Sequence, residues 1–207
     1  MATKLFEQQL HELKSAGFAS ASLGEWNKSG KRRVLITFDD GYSNVLRLGL
    51  EPLARVGFTA IQFLPVNFLG KSNDWDIAAG EKEERIMDAS EVRSWISAGH
   101  EIGSHSLSHP FLTKVAHQTA REEIAASRKK LEDLFGRRVD HFCYPYGDWN
   151  EIVRDLVREA GYATACTTMP GLNAAGDSPF MLKRFTARYQ SRNLKSMWAL
   201  IRNGWGR

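Results

Sequence analysis

Val34-Leu35-Ile36-Thr37-Phe38-Asp39-Asp40-Gly41-Tyr42 is the stretch from which the rest of the chain is read. It opens with a short apolar, β-branched run, the pattern of a buried strand. Two adjacent carboxylates and a glycine follow. Neighbouring side chains in a strand point to opposite faces, so past the strand end the two acids can diverge, one towards a cation and the other towards a proton. Two like charges side by side repel unless something cationic lies beside them. The glycine permits a tight turn and a close backbone approach. On these residues alone, a solvated Asp-Asp-Gly turn explains the stretch equally well.

A second stretch, Glu101-Ile102-Gly103-Ser104-His105-Ser106-Leu107-Ser108-His109-Pro110, shifts that balance. It sets two imidazoles four residues apart, one helical turn, so both rings can face one point. Neutral imidazole is a common ligand for zinc and similar ions. Asp40 would complete a set of Asp40, His105 and His109. Three protein ligands with an open position form the catalytic rather than the structural zinc pattern.

Thr-Phe-Asp-Asp-Gly followed by His-Ser-x-x-His-Pro resembles the polysaccharide deacetylase family, carbohydrate esterase family 4. Phe142-Cys143-Tyr144-Pro145-Tyr146-Gly147 is similar to that family's third motif. The three motifs in this order carry the resemblance, which runs from about Phe6 to the C-terminus. It implies a single catalytic domain over residues 1–207 and an α/β fold, a distorted, incomplete (β/α) barrel of about seven parallel strands. It also implies one divalent metal, zinc first with cobalt or nickel as alternatives, and an N-acetylated glycan substrate. The implied reaction is hydrolysis of an N-acetyl group on a sugar. Asp39 matches the family's base, and the family draws a backbone N–H donor for the oxyanion from the position of Tyr146. Tyr144 and Trp75 are the expected substrate contacts, since in the family the loop that carries Trp75 borders the groove.

Three positions depart from the family pattern. The third motif commonly opens with an arginine that pairs with the base, and here the position is Cys143. The fourth commonly supplies Asp and Trp, but Ala165-Cys166-Thr167-Thr168 has neither. The fifth commonly ends in a histidine acid, and Met181-Leu182-Lys183-Arg184-Phe185 puts Arg184 there. A branch associated with exopolysaccharide deacetylation shares the Tyr-Pro-Tyr-Gly and Leu-x-Arg forms, and the chain is most similar to it. The vacated arginine and the arrived Arg184 suggest a swap, with Arg184 supplying the charge that keeps Asp39 ionised. A barrel that closes its last strand on its first would bring the two together. A surface arginine on an edge strand is the alternative. The general acid is left unassigned, His141 being a weak candidate. Two other readings stay open: a glycan-binding pseudoenzyme, and a metal-free amidohydrolase acting on a small cyclic amide.

At 207 residues the chain suits one domain with a full core. It is 43% hydrophobic and 25% charged, with a net charge of +4. Its basic residues fall in short groups, Lys31-Arg32-Arg33, Lys129-Lys130 and Arg137-Arg138, among acids. They read as solvated faces rather than a nucleic-acid surface. Cys143 and Cys166 lie in apolar stretches and read as buried thiols. No apolar run reaches transmembrane length and no signal-peptide core opens the chain, so as written it is expected in the cytoplasm. A piece of a secreted or envelope protein would read the same. Oligomeric state is not legible.

Around the motifs, apolar periodicity predicts helices over 5–16, 43–55, 90–98, 113–135, 149–160 and 193–202. Strands are predicted over 34–38, 58–64, 101–103, 139–144, 162–167 and 181–189. Ser43 and Ser90 are the expected N-caps, and Leu134 is expected to face inward with Ile124, Leu131 and Phe135. Residues 67–84 read as a long polar loop of the kind that carries function. Strand and helix alternate, which argues for a parallel sheet with the motifs at its strand C-terminal ends.

Overall fold

The computed structural model describes residues 3–28, 32–77 and 80–187. The expected helix over 193–202 and the end of the expected last strand lie outside those residues. Five parallel strands form the main sheet in the order β3 (Ile36–Phe38), β4 (Ala60–Leu64), β5 (Glu101–Ser104), β6 (His141–Cys143) and β7 (Thr164–Cys166). Each strand pairs with the next along the chain. Helices α2 (Ser43–Val56), α4 (Ala89–Ser97), α5 (His117–Phe135) and α6 (Glu151–Glu159) fill the crossovers that parallel pairing requires. The sheet curls into a half-barrel, the incomplete (β/α) barrel of the family named above. A separate parallel pair, β1 (Ala19–Ser20) with β2 (Arg33–Val34), lies beside it, after α1 (Thr3–Ser15).

The expected strand over 34–38 is therefore two strands in two sheets, broken at Leu35. Among the described residues, the run after Met181 adds to the main sheet only a parallel bridge between Leu182 and Cys166. Residues 67–84 are not structureless: they hold a short helix, α3 (Asp74–Ile77), and Ser72 bridges to Arg85.

The strand faces divide the interior in two. Ala60 and Leu64 of β4 join the large core between sheet and helices, with Trp95, Ile124, Leu131 and Phe142. Ile61 and Phe63 point the other way, into a small core inside the curl with Leu23, Cys143, Cys166 and Leu182. Phe63 needs Gly103 beside it on β5. A Cβ at Gly103 would lie 2.5 Å from the Phe63 ring and 2.9 Å from the His141 carbonyl oxygen.

Two caps differ from expectation. The N-cap of α4 is Asp88, whose side chain accepts from the Ser90 and Glu91 amides while Glu91 reaches back to the Asp88 amide, a capping box. Helix α2 starts after Tyr42 with no side-chain cap, and the Ser43 hydroxyl donates to Arg85 O instead. Leu134 is 37% exposed, so the inner face of α5 is Ala120, Glu123, Ile124, Ser127 and Leu131. Among the described residues no helix is long and apolar enough to cross a membrane.

Candidate active site

β3 ends at Phe38, and the two acids leave it in different directions because Asp40 turns left-handed, with φ of 68°. Gly41 follows at φ 73°. A side chain there would be strained by that backbone, and its Cβ would press to 3.0 Å from Leu64 and 3.2 Å from Ile86. Gln62, one strand over, donates to the Asp39 carbonyl at 3.0 Å and holds the turn.

β5 delivers the histidines. Asp40 Oδ1 lies 3.4 Å from His105 Nε2 and 3.3 Å from His109 Nε2. His105 Nδ1 is 2.7 Å from Cys143 O, so its N–H donates there and leaves the Nε2 lone pair facing Asp40. The Asp40 side chain is 24% exposed and each histidine side chain 3%. The donor set is thus walled from below and open on one side. Donor separations near these values are what a tetrahedral cation with ligand bonds of about 2.0–2.1 Å requires, and the residues fit a divalent ion. The histidines do not sit on a helix. The segment is a loop in which Ser106 and His109 take φ of 65° and 58°, and it is this backbone that turns both rings to one point.

Asp39 faces a different partner. Arg184 Nη1 donates to its Oδ1 and Nη2 to its Oδ2, each at 2.8 Å. The same guanidinium donates to Thr37 Oγ1 at 3.0 Å, Thr167 O at 2.8 Å and Cys143 Sγ at 3.1 Å. Burial opposes the charge on Asp39, but the Arg184 charge and its hydrogen bonds outweigh it and hold the carboxyl below its usual range. Asp40 is also held low, with burial again opposed, here by its bonds to the two imidazoles.

Asp39, His105 and Cys143 form a second group with metal-ligand atoms close together. A cation there would displace a guanidinium that already engages both Asp39 oxygens and the sulfur. Burial also pushes the Cys143 thiol well above its ordinary range, so it is a neutral thiol and a poor ligand. The set around Asp40 is the better donor group.

Aromatic rings wall the site on the His109 side. Trp75 of α3 stacks on His109, ring centroids 4.7 Å apart at 28°. Tyr146 meets His109 edge-on at 4.6 Å, and Phe111 stacks on Tyr146 at 4.0 Å and 8°. The Tyr146 hydroxyl donates to Asp76 Oδ1 at 3.1 Å, tying the 67–84 loop across to the third motif. Tyr146 itself is left-handed, φ 59°, and 38% exposed. Tyr144 is a correction. Its ring is fully buried in the large core and its hydroxyl donates to Phe180 O, so it is a packing residue with no surface to offer a substrate. His141 is turned to Thr164 and Glu101 at the opposite, N-terminal ends of the strands.

A family model described as Polysaccharide deacetylase matches residues 27–165. The chain belongs to the polysaccharide deacetylase family. Members are hydrolases that act on N-acetyl amide bonds in polysaccharides. YxkH of Bacillus subtilis (strain 168) is 28% identical over 188 residues, 87% of this chain and 63% of its own. The peptidoglycan-N-acetylglucosamine deacetylase PgdA of Listeria monocytogenes is 31% identical over 127 residues, 61% of this chain and 24% of its own. This chain thus spans less than two thirds of either relative. The solved structure of IcaB from Ammonifex degensii shares the fold, with a TM-score of 0.84 at 20% identity over 96% of this chain and 88% of that one.

In this member of the family the thiol at Cys143 and the guanidinium of Arg184 lie against each other beside Asp39. Sequence reasoning missed Asp76, Phe111 and Glu123, whose carboxylate accepts from the Leu107 and Ser108 amides between the two histidines. Phe111 gave a signal as an aromatic directly after His-Pro, and Glu123 gave one as an acid on the buried face of α5. Asp76, in a polar loop, gave none.

Proposed function

We propose that the chain removes N-acetyl groups from an N-acetylated polysaccharide or oligosaccharide, using a divalent cation, zinc first, at Asp40, His105 and His109. One observation carries this reading: two adjacent aspartates at a strand end, one against two imidazoles and the other against a guanidinium. A bound ion would supply Lewis-acid polarisation of the acetyl carbonyl and acidify a water at its open position. Asp39 is the base. Its oxygens accept from Arg184 and keep further lone pairs for the proton of the attacking water. The two-point pairing fixes the plane of the carboxylate as well as its charge. The proton taken by Asp39 is the one the departing amine recovers. The Tyr146 amide, on its left-handed turn, is read as a donor to the developing oxyanion. Trp75 borders the groove through its stack on His109.

Acetate release from a panel of N-acetylated glycans, with and without a chelator, tests this. Release from at least one glycan, abolished by chelation and restored by added zinc, cobalt or nickel, is expected. No release from any glycan by metal-loaded protein would overturn the reading.

A further inference from the structure

The loop from His105 to His109 has almost no regular structure of its own, yet its shape sets the convergence of the two rings. What holds it is the inner face of α5. Glu123 is a carboxylate 8% exposed on that face. Its Oε2 accepts from two successive loop amides, Leu107 N at 2.9 Å and Ser108 N at 2.8 Å, and its Oε1 accepts from the Ser108 hydroxyl. All three donors lie between the two histidines. One helical turn further along α5, Ser127 Oγ lies 2.8 Å from the hydroxyl of Ser104, the residue before His105.

A relay of serines finishes the frame. Ser106 N donates to Ser104 Oγ at 3.2 Å, and His109 N donates to Ser106 Oγ at 3.0 Å. Ser104, Ser106 and Ser127 are fully buried. The helix therefore grips the loop on both sides of His105, at Ser104 through Ser127 and at Leu107 and Ser108 through Glu123. Ser106 and His109 keep positive φ, which residues with side chains rarely adopt unless the surroundings impose it.

We propose that Glu123 is a positioning residue for the cation: by clamping the Leu107 and Ser108 amides it fixes the spacing of His105 and His109 and so sets the affinity of the site. This rests on the reading of Asp40, His105 and His109 as ligands. A carboxylate suits the task because charge-assisted bonds from two amides and a hydroxyl are about twice as strong as neutral ones. Glutamine would keep an acceptor for the amides but lose the charge. Methionine has similar length and no acceptor, and would leave both amides unpaired.

The test is zinc affinity by chelator competition on the wild type, Glu123→Gln and Glu123→Met, with thermal unfolding of each metal-free protein in parallel. Supporting partners of ligands typically carry about 10–100-fold in metal affinity. A loss of that size is expected for Glu123→Met and an intermediate loss for Glu123→Gln, with the metal-free midpoint of the glutamine variant close to wild type. Wild-type affinity in a folded Glu123→Met protein would overturn the proposal. Should the methionine variant fail to fold, glutamine decides, and an affinity within about twofold of wild type overturns it. A wild type that binds no zinc, cobalt or nickel would instead sink the ligand assignment itself.

Discussion

Asp39 and Asp40 are neighbours in sequence with opposite partners, a guanidinium for one and two imidazoles for the other. Their divergence was legible from the strand that precedes them. The partner of Asp39 was not legible from composition or periodicity, since Arg184 lies 145 residues away. It came into view through two departures from the family pattern, an arginine missing at Cys143 and one present at Arg184. Tyr144 shows the limit of that route: a motif gives the residue type, but which way a ring points depends on the core beneath it. Arg184 carries a pH prediction. It opposes the burial that would raise the Asp39 pKa, and ionised Asp39 is the form that acts as base. Removing the guanidinium leaves the burial and raises that pKa. In Arg184→Ala the acidic limb of the kcat/KM profile is expected to move to higher pH, so activity is lost earlier as pH falls. Arg184→Lys keeps a charge without the two-point fit, and turnover is expected to fall by up to about 10²-fold, as for a misplaced catalytic group. An unmoved acidic limb in Arg184→Ala would contradict the role.

At the scale of elements, strand and helix alternation was readable because apolar periodicity is local, whereas several boundaries were decided by partners elsewhere. Asp88 caps α4 in place of Ser90 because its carboxylate reaches two amides and also meets Arg85. The break at Leu35 depends on which sheet each half joins, and no local pattern states that. The His-x-x-x-His spacing suggested a helix, but the rings converge on a loop held by α5. Gly103 links sheet packing to this loop two residues before His105. Gly103→Ala would force a methyl to within 2.5 Å of the Phe63 ring. Overpacking of that kind costs about 1–3 kcal/mol, to be read from urea unfolding, and Phe63→Leu is expected to recover part of it. An unchanged midpoint in Gly103→Ala would show that the two strands can part without cost.

For the whole molecule, the parallel sheet with helices outside was legible from the alternation of strand and helix, and its half-barrel form from the family resemblance. The division into a five-stranded sheet and a separate pair was not. The strand ends away from the site bear on stability. His100 is 5% exposed, stacks on Trp95 at 4.1 Å and accepts the Ala60 amide on Nδ1 at 3.2 Å. Burial holds its pKa below the ordinary value. Its contribution is therefore intact above about pH 6.5, where both states are neutral, and declines as pH falls towards the folded value, because the unfolded chain takes up the proton first. His100→Asn is expected to flatten the loss of urea resistance below about pH 6.5, and an identical slope would contradict this. The division of labour between the two aspartates is tested most directly by metal content, measured side by side on purified Asp39→Asn and Asp40→Asn proteins after zinc loading. Asp39→Asn is predicted to retain about one ion per chain while losing about 10²–10⁴ in rate, and Asp40→Asn to lose the ion. An Asp39→Asn protein stripped of metal, beside an Asp40→Asn protein that keeps it, would contradict the account.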